Sequence, residues 1–166
     1  TGTAPIPINS GPVPILQYPN IITVSSGSIS PGGADPGTNN VGMLRMALNT
    51  NVSNATWSKI KVDRVGGSDL DIKEVKVYYD INQVGTFNNA SIGQYLLISS
   101  TGQSFGSKGS PGSIDLDFSL IPVLSQTPQL YFLSMDISTT APPGNQISMR
   151  IVNQSYFTVN SPNTVE

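Results

Sequence analysis

The chain has 166 residues, of which 37% are hydrophobic and 11% charged, and its formal net charge is −2. It contains no Cys and no His, which excludes disulfide bonds, Cys-containing zinc sites and His-based catalytic triads. Its 8 Lys and Arg residues are spread along the chain, which argues against nucleic-acid binding, and the length suits one domain with an extension.

The first predicted element is an extended N-terminal arm, residues 1–19, which has no charged side chain. Prolines alternate with aliphatic residues in "PIPI" and "PVPI", so one edge of the extended segment lacks N–H groups and the other keeps them. Such a ribbon could cover an edge of its own domain or add to a sheet edge of another subunit. The predicted subunit-contact residues, on the arm and the strand after it, are Ile6, Ile8, Val13, Ile15, Leu16, Ile21, Ile22 and Val24.

Residues 20–166 are predicted to form one all-β domain, a β-sandwich of the jelly-roll or immunoglobulin-like type. Alternation of apolar and polar residues is the recurring pattern, and no helical periodicity persists over ten residues. About eight strands are expected, near residues 20–26, 41–50, 55–65, 71–80, 92–100, 113–120, 129–138 and 146–159, and the last segment could form one or two closing strands. The segment 129–138 is apolar on both faces and is therefore expected to be a central strand.

The alternation also predicts which side chains of each strand face the core. The inward sets are Leu44, Met46 and Leu48; Ile60 and Val62; Val75, Val77 and Tyr79; and Ile114, Leu116, Phe118 and Leu120. Trp57 is the only tryptophan, and we expect it to pack in the core or on a sheet face instead of forming a ligand platform.

A weak calcium-loop pattern, D-x-N-x-x-G, begins at Asp80 and includes Asn82 and Gly85. Position 12 of this loop is Ser91 in place of the bidentate glutamate, so a plain hairpin turn is the competing interpretation. Asp63, Asp69 and Asp71 are further acidic residues, which could join Asp80 or one another around a cation or simply face water. No cofactor is required by these patterns, and Ca²⁺ is the ion that they could hold.

Carboxylate chemistry is the enzymatic option that this composition leaves open. Asp115 and Asp117 share one face of a predicted strand, at a spacing of about 7 Å. Nothing around them predicts the raised pKa that a general acid needs. We therefore expect the protein not to be an enzyme.

The core resembles a β-sandwich module of bacterial surface proteins, in which a phrase like "W..I.V.R.G....DI..V..Y.D.N..G.F" recurs. Here that phrase runs from Trp57 to Phe87, within a resemblance that covers most of residues 20–159. With an arm before the sandwich, the chain also resembles secreted fibre subunits that polymerise by donor-strand complementation: TasA-like biofilm-matrix proteins, archaeal bundling pili and cannula-type tube proteins. Residues 1–24 would contain the donated strand. The paired prolines depart from an ideal donor strand, so the inserted part could be either residues 4–16 or the segment 20–24, "NIITV".

This resemblance implies an extracellular structural subunit, secreted or on a cell-surface appendage. The expected partners are copies of the chain itself, which would form a filament or tube, together with neighbouring filaments or the cell surface. No run approaches the ~20 apolar residues of a membrane span, so no such span is expected. The alternative function is a carbohydrate-binding or adhesin module of a larger cell-surface protein.

Overall fold

The structure is a computed structural model that describes residues 11–14, 18–107 and 109–166. Within these ranges eleven strands and three short 3-10 helices are found. The strands are β1 (Ile21–Ser28), β2 (Val41–Thr50), β3 (Ala55–Val65), β4 (Ile72–Asp80), β5 (Tyr95–Leu97), β6 (Ser113–Asp117), β7 (Val123–Leu124), β8 (Gln129–Ile137), β9 (Ser148–Arg150), β10 (Phe157–Val159) and β11 (Thr164–Val165). The 3-10 helices span Asp69–Asp71, Asn89–Gln94 and Gln154–Tyr156.

The strands form two sheets, which confirms the predicted all-β sandwich. The first sheet has the order β11-β1-β2-β8-β4-β5, and every pair in it is antiparallel except β1 with β11. The second sheet is built around β3, which pairs with β6 and β7 and with β9 and β10. The prediction that β8 is central is confirmed, because β2 and β4 flank it.

Eleven strands occur where about eight were expected. Five of those described are only two or three residues long, which is too short to be recognised from the sequence pattern. The segment 146–159, expected to form one or two closing strands, forms two, β9 and β10, with the 3-10 helix at Gln154–Tyr156 between them. The predicted strand 92–100 is shortened to Tyr95–Leu97, since the residues before it form a 3-10 helix capped by the side chain of Asn88. The strands β7 and β11 have too few residues to show an alternating pattern.

Most of the predicted inward faces are confirmed, and Leu120 is the exception. Strand β6 ends at Asp117, so Leu120 lies beyond the alternating segment and is 48% exposed. Leu44 is partly buried and packs against the core, and a register shift between Gly42 and Leu44 adds Met43, which the alternation did not predict, to the core. Both departures lie where the strand geometry differs from a regular ladder.

A second apolar cluster lies on the outer face of the first sheet. Val75 and Val77 on β4 point into the main core. Tyr78, the residue after Val77, points to the other face and packs with Tyr95 and Phe132. The segment between β4 and β5 folds back over this face and places Phe87 with its ring centroid 5.2 Å from that of Phe132. The first sheet is therefore covered on both faces over part of its surface.

Candidate functional site

The described part of the arm is exposed to solvent. All of residues 11–14 are exposed, with Val13 at 84%, and Tyr18 is 80% exposed. The arm ends at the buried Asn20, whose backbone N–H donates to Asn163 Oδ1 at 2.8 Å and whose Oδ1 accepts from the Ser53 N–H at 2.7 Å. The point where the arm leaves the sandwich is therefore firmly held. Ile6, Ile8, Ile15 and Leu16 lie outside the described residues.

The other predicted contact residues, Ile21, Ile22 and Val24, belong to β1 and not to a free arm. Ile22 is fully buried in the core, and it pairs with Thr50 of β2 in the same chain. The opposite edge of β1 is occupied as well, because residues 164–166 bond to it through Glu166 N–H to the Ile22 carbonyl at 2.9 Å. Ile21, Ile22 and Val24 are therefore part of the chain's own sheet, and a strand donated to a neighbour would have to come from the arm before them.

An apolar groove lies beside the edge strand β5. Its walls are four half-exposed side chains, Leu96, Leu120, Ile121 and Val123, each between 42% and 56% exposed. Its floor consists of Tyr79, Ile98 and Tyr131, and Pro122 and Gln129 complete a cavity of about 250 Å³. β5 pairs only with β4 among the described residues, so its second edge has no strand partner there.

The groove and the arm share a chemical character. None of the residues lining the groove is charged, and the arm has no charged side chain. Burial is the main cause that raises the pKa of the Tyr131 phenol on the groove floor well above its usual range. The groove is therefore an uncharged, partly desolvated surface suited to aliphatic side chains.

The groove opens at the end of the first sheet from which the arm leaves. The arm joins the start of β1, which pairs with the end of β2 through Ile22 and Thr50. The same end contains the start of β8 and the end of β4, where Tyr131 pairs with Tyr79. The base of the arm and the groove therefore lie at the same end of the first sheet.

The acidic residues predicted to hold calcium fall into two separate places. Asp80 ends β4, whereas Asp71 directly precedes this strand, so the two residues are separated by about 30 Å along an extended strand. This separation is too large for Asp80 to share one ion with Asp71, whereas binding of Ca²⁺ by Asp63, Asp69 and Asp71 with one another stays a prediction. Among the described residues no group of three or more His, Cys, Asp or Glu side chains is arranged to hold a metal ion.

Each carboxylate near the start of β4 has partners of its own. Asp69 Oδ1 accepts from Arg64 Nε at 2.8 Å, and Gly112 N–H also donates to this carboxylate. Asp71 Oδ2 accepts from the Ser68 N–H at 2.7 Å and from Asn145 Nδ2 at 2.9 Å. These bonds tie the turn after β3 to the loops beside it.

Asp63 lies on β3 in the second sheet and contacts Tyr156. The Tyr156 hydroxyl donates to Asp63 Oδ2 at 2.8 Å, and this hydrogen bond is the main cause that raises the pKa of Tyr156. Arg150 Nε lies 3.6 Å from the same oxygen. Asp63 therefore links β3 to β9 and to the 3-10 helix that follows it.

The D-x-N-x-x-G segment forms a tight turn. Asp80 is buried and its Oδ2 accepts from the Gly85 N–H at 2.8 Å, while the Gln83 side chain bonds to the Asp80 carbonyl. Gly85 has a φ of 80°, a conformation that favours glycine. Asn82 is exposed on this turn. The geometry matches the competing interpretation, a hairpin-like turn stabilised by its own aspartate.

Trp57 lies in the core, as expected. It is fully buried between the sheets, with T-shaped contacts to Phe118 at 4.7 Å and Tyr131 at 5.0 Å between ring centroids. Its Nε1–H donates to the Lys59 carbonyl at 2.8 Å. In the described part of the chain Tyr18 is the one aromatic residue classed as exposed.

Sequence reasoning did not identify the groove walls. The signal that could have indicated them is the run "LIPV" at 120–123, which is apolar, contains a proline and does not alternate. Comparison with known protein families and with curated proteins found no match to this sequence. None of the helices in the described ranges is long and apolar enough to cross a membrane.

Proposed function

We propose that the chain is an extracellular structural subunit that assembles with copies of itself by placing its N-terminal arm in the apolar groove of a neighbour. The observation that carries this proposal is that the arm has no charged side chain and is exposed where it is described, and that the same chain has an uncharged groove beside an edge strand. Each subunit would offer one arm and one groove, so the contact is head-to-tail and repeats into a filament or tube.

A neighbouring copy is favoured over the chain's own arm as the occupant of the groove. Val13 and the residues around it are exposed, so the described part of the arm does not pack on its own sandwich. The extended ribbon could also pair with the second edge of β5 through the N–H groups on its proline-free side. The prolines narrow the unbound ensemble of the arm and so lower the cost of ordering it.

The energies are of the size that assembly requires. Four aliphatic side chains of the arm would each contribute about 1.5–3 kcal/mol when fully buried, and the four half-exposed groove walls about half as much each. The sum, roughly 9–18 kcal/mol, is comparable to or above the estimated 4–15 kcal/mol that association costs in lost freedom. Assembly is thus expected to depend on concentration and to be sensitive to single groove substitutions.

The extracellular location, the link to neighbouring filaments and the use of Ca²⁺ belong to this proposal and rest on the resemblance to secreted fibre subunits. The carbohydrate-binding or adhesin module stays the alternative hypothesis. The burial of Trp57 and the lack of an exposed aromatic strip in the described ranges weigh against it.

A peptide with the sequence of residues 1–19 tests the arm-to-groove contact. The probe is this peptide, labelled and titrated into a chain that begins at residue 20, with a scrambled peptide of the same composition as control. Binding is measured by fluorescence anisotropy. We expect the native peptide to bind saturably and the scrambled peptide not to bind. Equal binding of both peptides, or of neither, would contradict the proposal.

A further inference from the structure

A polar cluster on the outer face of the first sheet joins residues that lie far apart in the chain. Lys76 on β4 reaches across the central strand β8 and donates to Asp136 Oδ2 at 2.6 Å and to Asn40 Oδ1 at 3.2 Å. Asn40 directly precedes β2, and its backbone N–H donates to Asp136 Oδ1 at 2.8 Å. An amine, a carboxamide and a carboxyl group are therefore in mutual contact.

The cluster is largely shielded from water. The side chains of Lys76 and Asp136 are 12% and 5% exposed. The neighbouring Tyr78 and Phe132 belong to the buried aromatic cluster, and the ring centroid of Phe87 lies 5.9 Å from that of Tyr78. Apolar surroundings penalise charged forms relative to neutral ones, so they lower the cost of proton transfer from the ammonium to the carboxylate.

The carboxamide of Asn40 is held and polarised from a second side. The Tyr78 hydroxyl donates to Asn40 Oδ1 at 2.8 Å. Burial, followed by the charges of Asp136 and Glu74, raises the pKa of Tyr78 to about 12, so the phenol keeps its proton at neutral pH. A fixed donor at this oxygen stabilises the negative charge that develops when a nucleophile attacks the carbonyl carbon.

The backbone at Asn40 is also constrained. Its φ of 54° lies in the left-handed region, which few residues other than glycine adopt without cost. The bonds to Asp136, Lys76 and Tyr78 hold it there. Glu74 Oε2 lies 3.7 Å from Lys76 Nζ and adds a second carboxylate beside the amine.

We propose that Lys76 and Asn40 form an intramolecular isopeptide bond, with Asp136 as the proton shuttle. Asp136 first takes a proton from Lys76, and the resulting amine attacks Cγ of Asn40 while the carbonyl electron pair moves onto Oδ1. Asp136 then protonates Nδ2 and removes the surplus proton from the attacking nitrogen. The Cγ–Nδ2 bond breaks, the carbonyl re-forms and ammonia leaves.

The reaction balances without an oxidant or a cofactor. Ammonia takes the proton from Asp136 and departs as ammonium, so an ammonium group and a carboxamide become a secondary amide and one ammonium ion. A cavity of about 340 Å³, lined in part by Asn40, Phe87 and Asn89, offers the leaving ammonia a route from the cluster.

The bond would connect β4 to the start of β2 across β8, between residues 36 positions apart. It would constrain the unfolded chain in the manner of a disulfide, in a protein whose sequence has no Cys. This covalent link is independent of the proposed assembly, since none of its residues lines the apolar groove.

The mass of the denatured full-length chain tests the proposal. We expect it to be lower than the sequence mass by one ammonia molecule, and a tryptic digest to contain a branched peptide that joins Asn40 to an uncleaved Lys76. A mass equal to that of the sequence would overturn the proposal and leave an ordinary buried ion pair. Loss of ammonia without the branched peptide would also overturn it, since a succinimide at an asparagine gives the same mass.

Two variants assign the roles. Lys76→Arg keeps the positive charge beside Asp136 but should show the full sequence mass for that variant, whereas Lys73→Arg, at an exposed position of the same strand, should still lose ammonia. Asp136→Ala should slow or abolish the mass loss while Lys76 and Asn40 remain. Complete ammonia loss in Asp136→Ala would exclude the shuttle role.

Discussion

The apolar groove makes a quantitative prediction for the variant Ile121→Ser. Ile121 is 56% exposed in the free chain and forms part of the groove wall beside Leu120 and Val123. Filling the groove would bury roughly half of an isoleucine side chain, which contributes about 1 kcal/mol. Serine lacks this apolar area, so the subunit contact should weaken by about that amount.

This loss has a direct readout in the critical concentration for assembly. About 1 kcal/mol corresponds to roughly a fivefold change in an equilibrium constant, so Ile121→Ser should need about five times more protein before polymer forms. The assay is sedimentation of polymer over a dilution series, with light scattering as a second measurement. Circular dichroism and the thermal midpoint establish that the variant monomer is folded.

Val152→Ser is the matched control, because Val152 is 52% exposed and does not line the groove. Its critical concentration should equal that of the native chain. The reasoning is refuted if Ile121→Ser assembles at the native concentration, or if the control is affected as strongly as the groove variant.

Further predictions concern stability and ion binding. Trp57→Ala should lower the free energy of unfolding by about 3–5 kcal/mol in denaturant titrations, because it removes a fully buried side chain; a loss below 1 kcal/mol would contradict the core assignment. Burial raises the pKa of Tyr78 to about 12 and also raises the pKa of Tyr131, so the unfolded chain loses these protons at lower pH than the folded chain. The denaturant concentration at the unfolding midpoint should therefore decrease as the pH is raised from about 10 to 12, and a constant midpoint over this range would contradict the burial of these tyrosines. Asp80→Ala should cost about 1–3 kcal/mol because the Gly85 N–H loses its buried acceptor, and an unchanged thermal midpoint would show that the turn does not need it. The calcium prediction requires the thermal midpoint to rise in Ca²⁺ but not in Mg²⁺ at equal ionic strength, and no rise in Ca²⁺ would reject it.

Regular alternation is the reason that the long strands could be predicted from the sequence. The bounds of β2 and β3 coincide with the predicted segments, and β4 begins one residue later than expected. Alternation fails where a register shift moves Met43 inward and where β6 stops before Leu120. Short strands such as β7 and β11 depend on the longer strands that they pair with, so no local pattern indicates them.

The arm could be recognised in the sequence, whereas its proposed acceptor could not. Proline spacing and the absence of charge are local properties of residues 1–19. The groove brings together β4, β5, β8 and the segment 120–123, so it exists only once the sheets have formed. The cluster of Lys76, Asn40 and Asp136 is likewise created by the strand order β2-β8-β4.

Deletion of residues 1–19 is the most direct test of the central claim, since Asn20 and all eleven strands remain in the shortened chain. The full chain and the shortened chain would be compared at equal concentrations by light scattering and negative-stain electron microscopy. The account predicts polymers of the full chain and folded monomers of the shortened one. Two equally stable monomers at high concentration, or polymers of both chains, would contradict it.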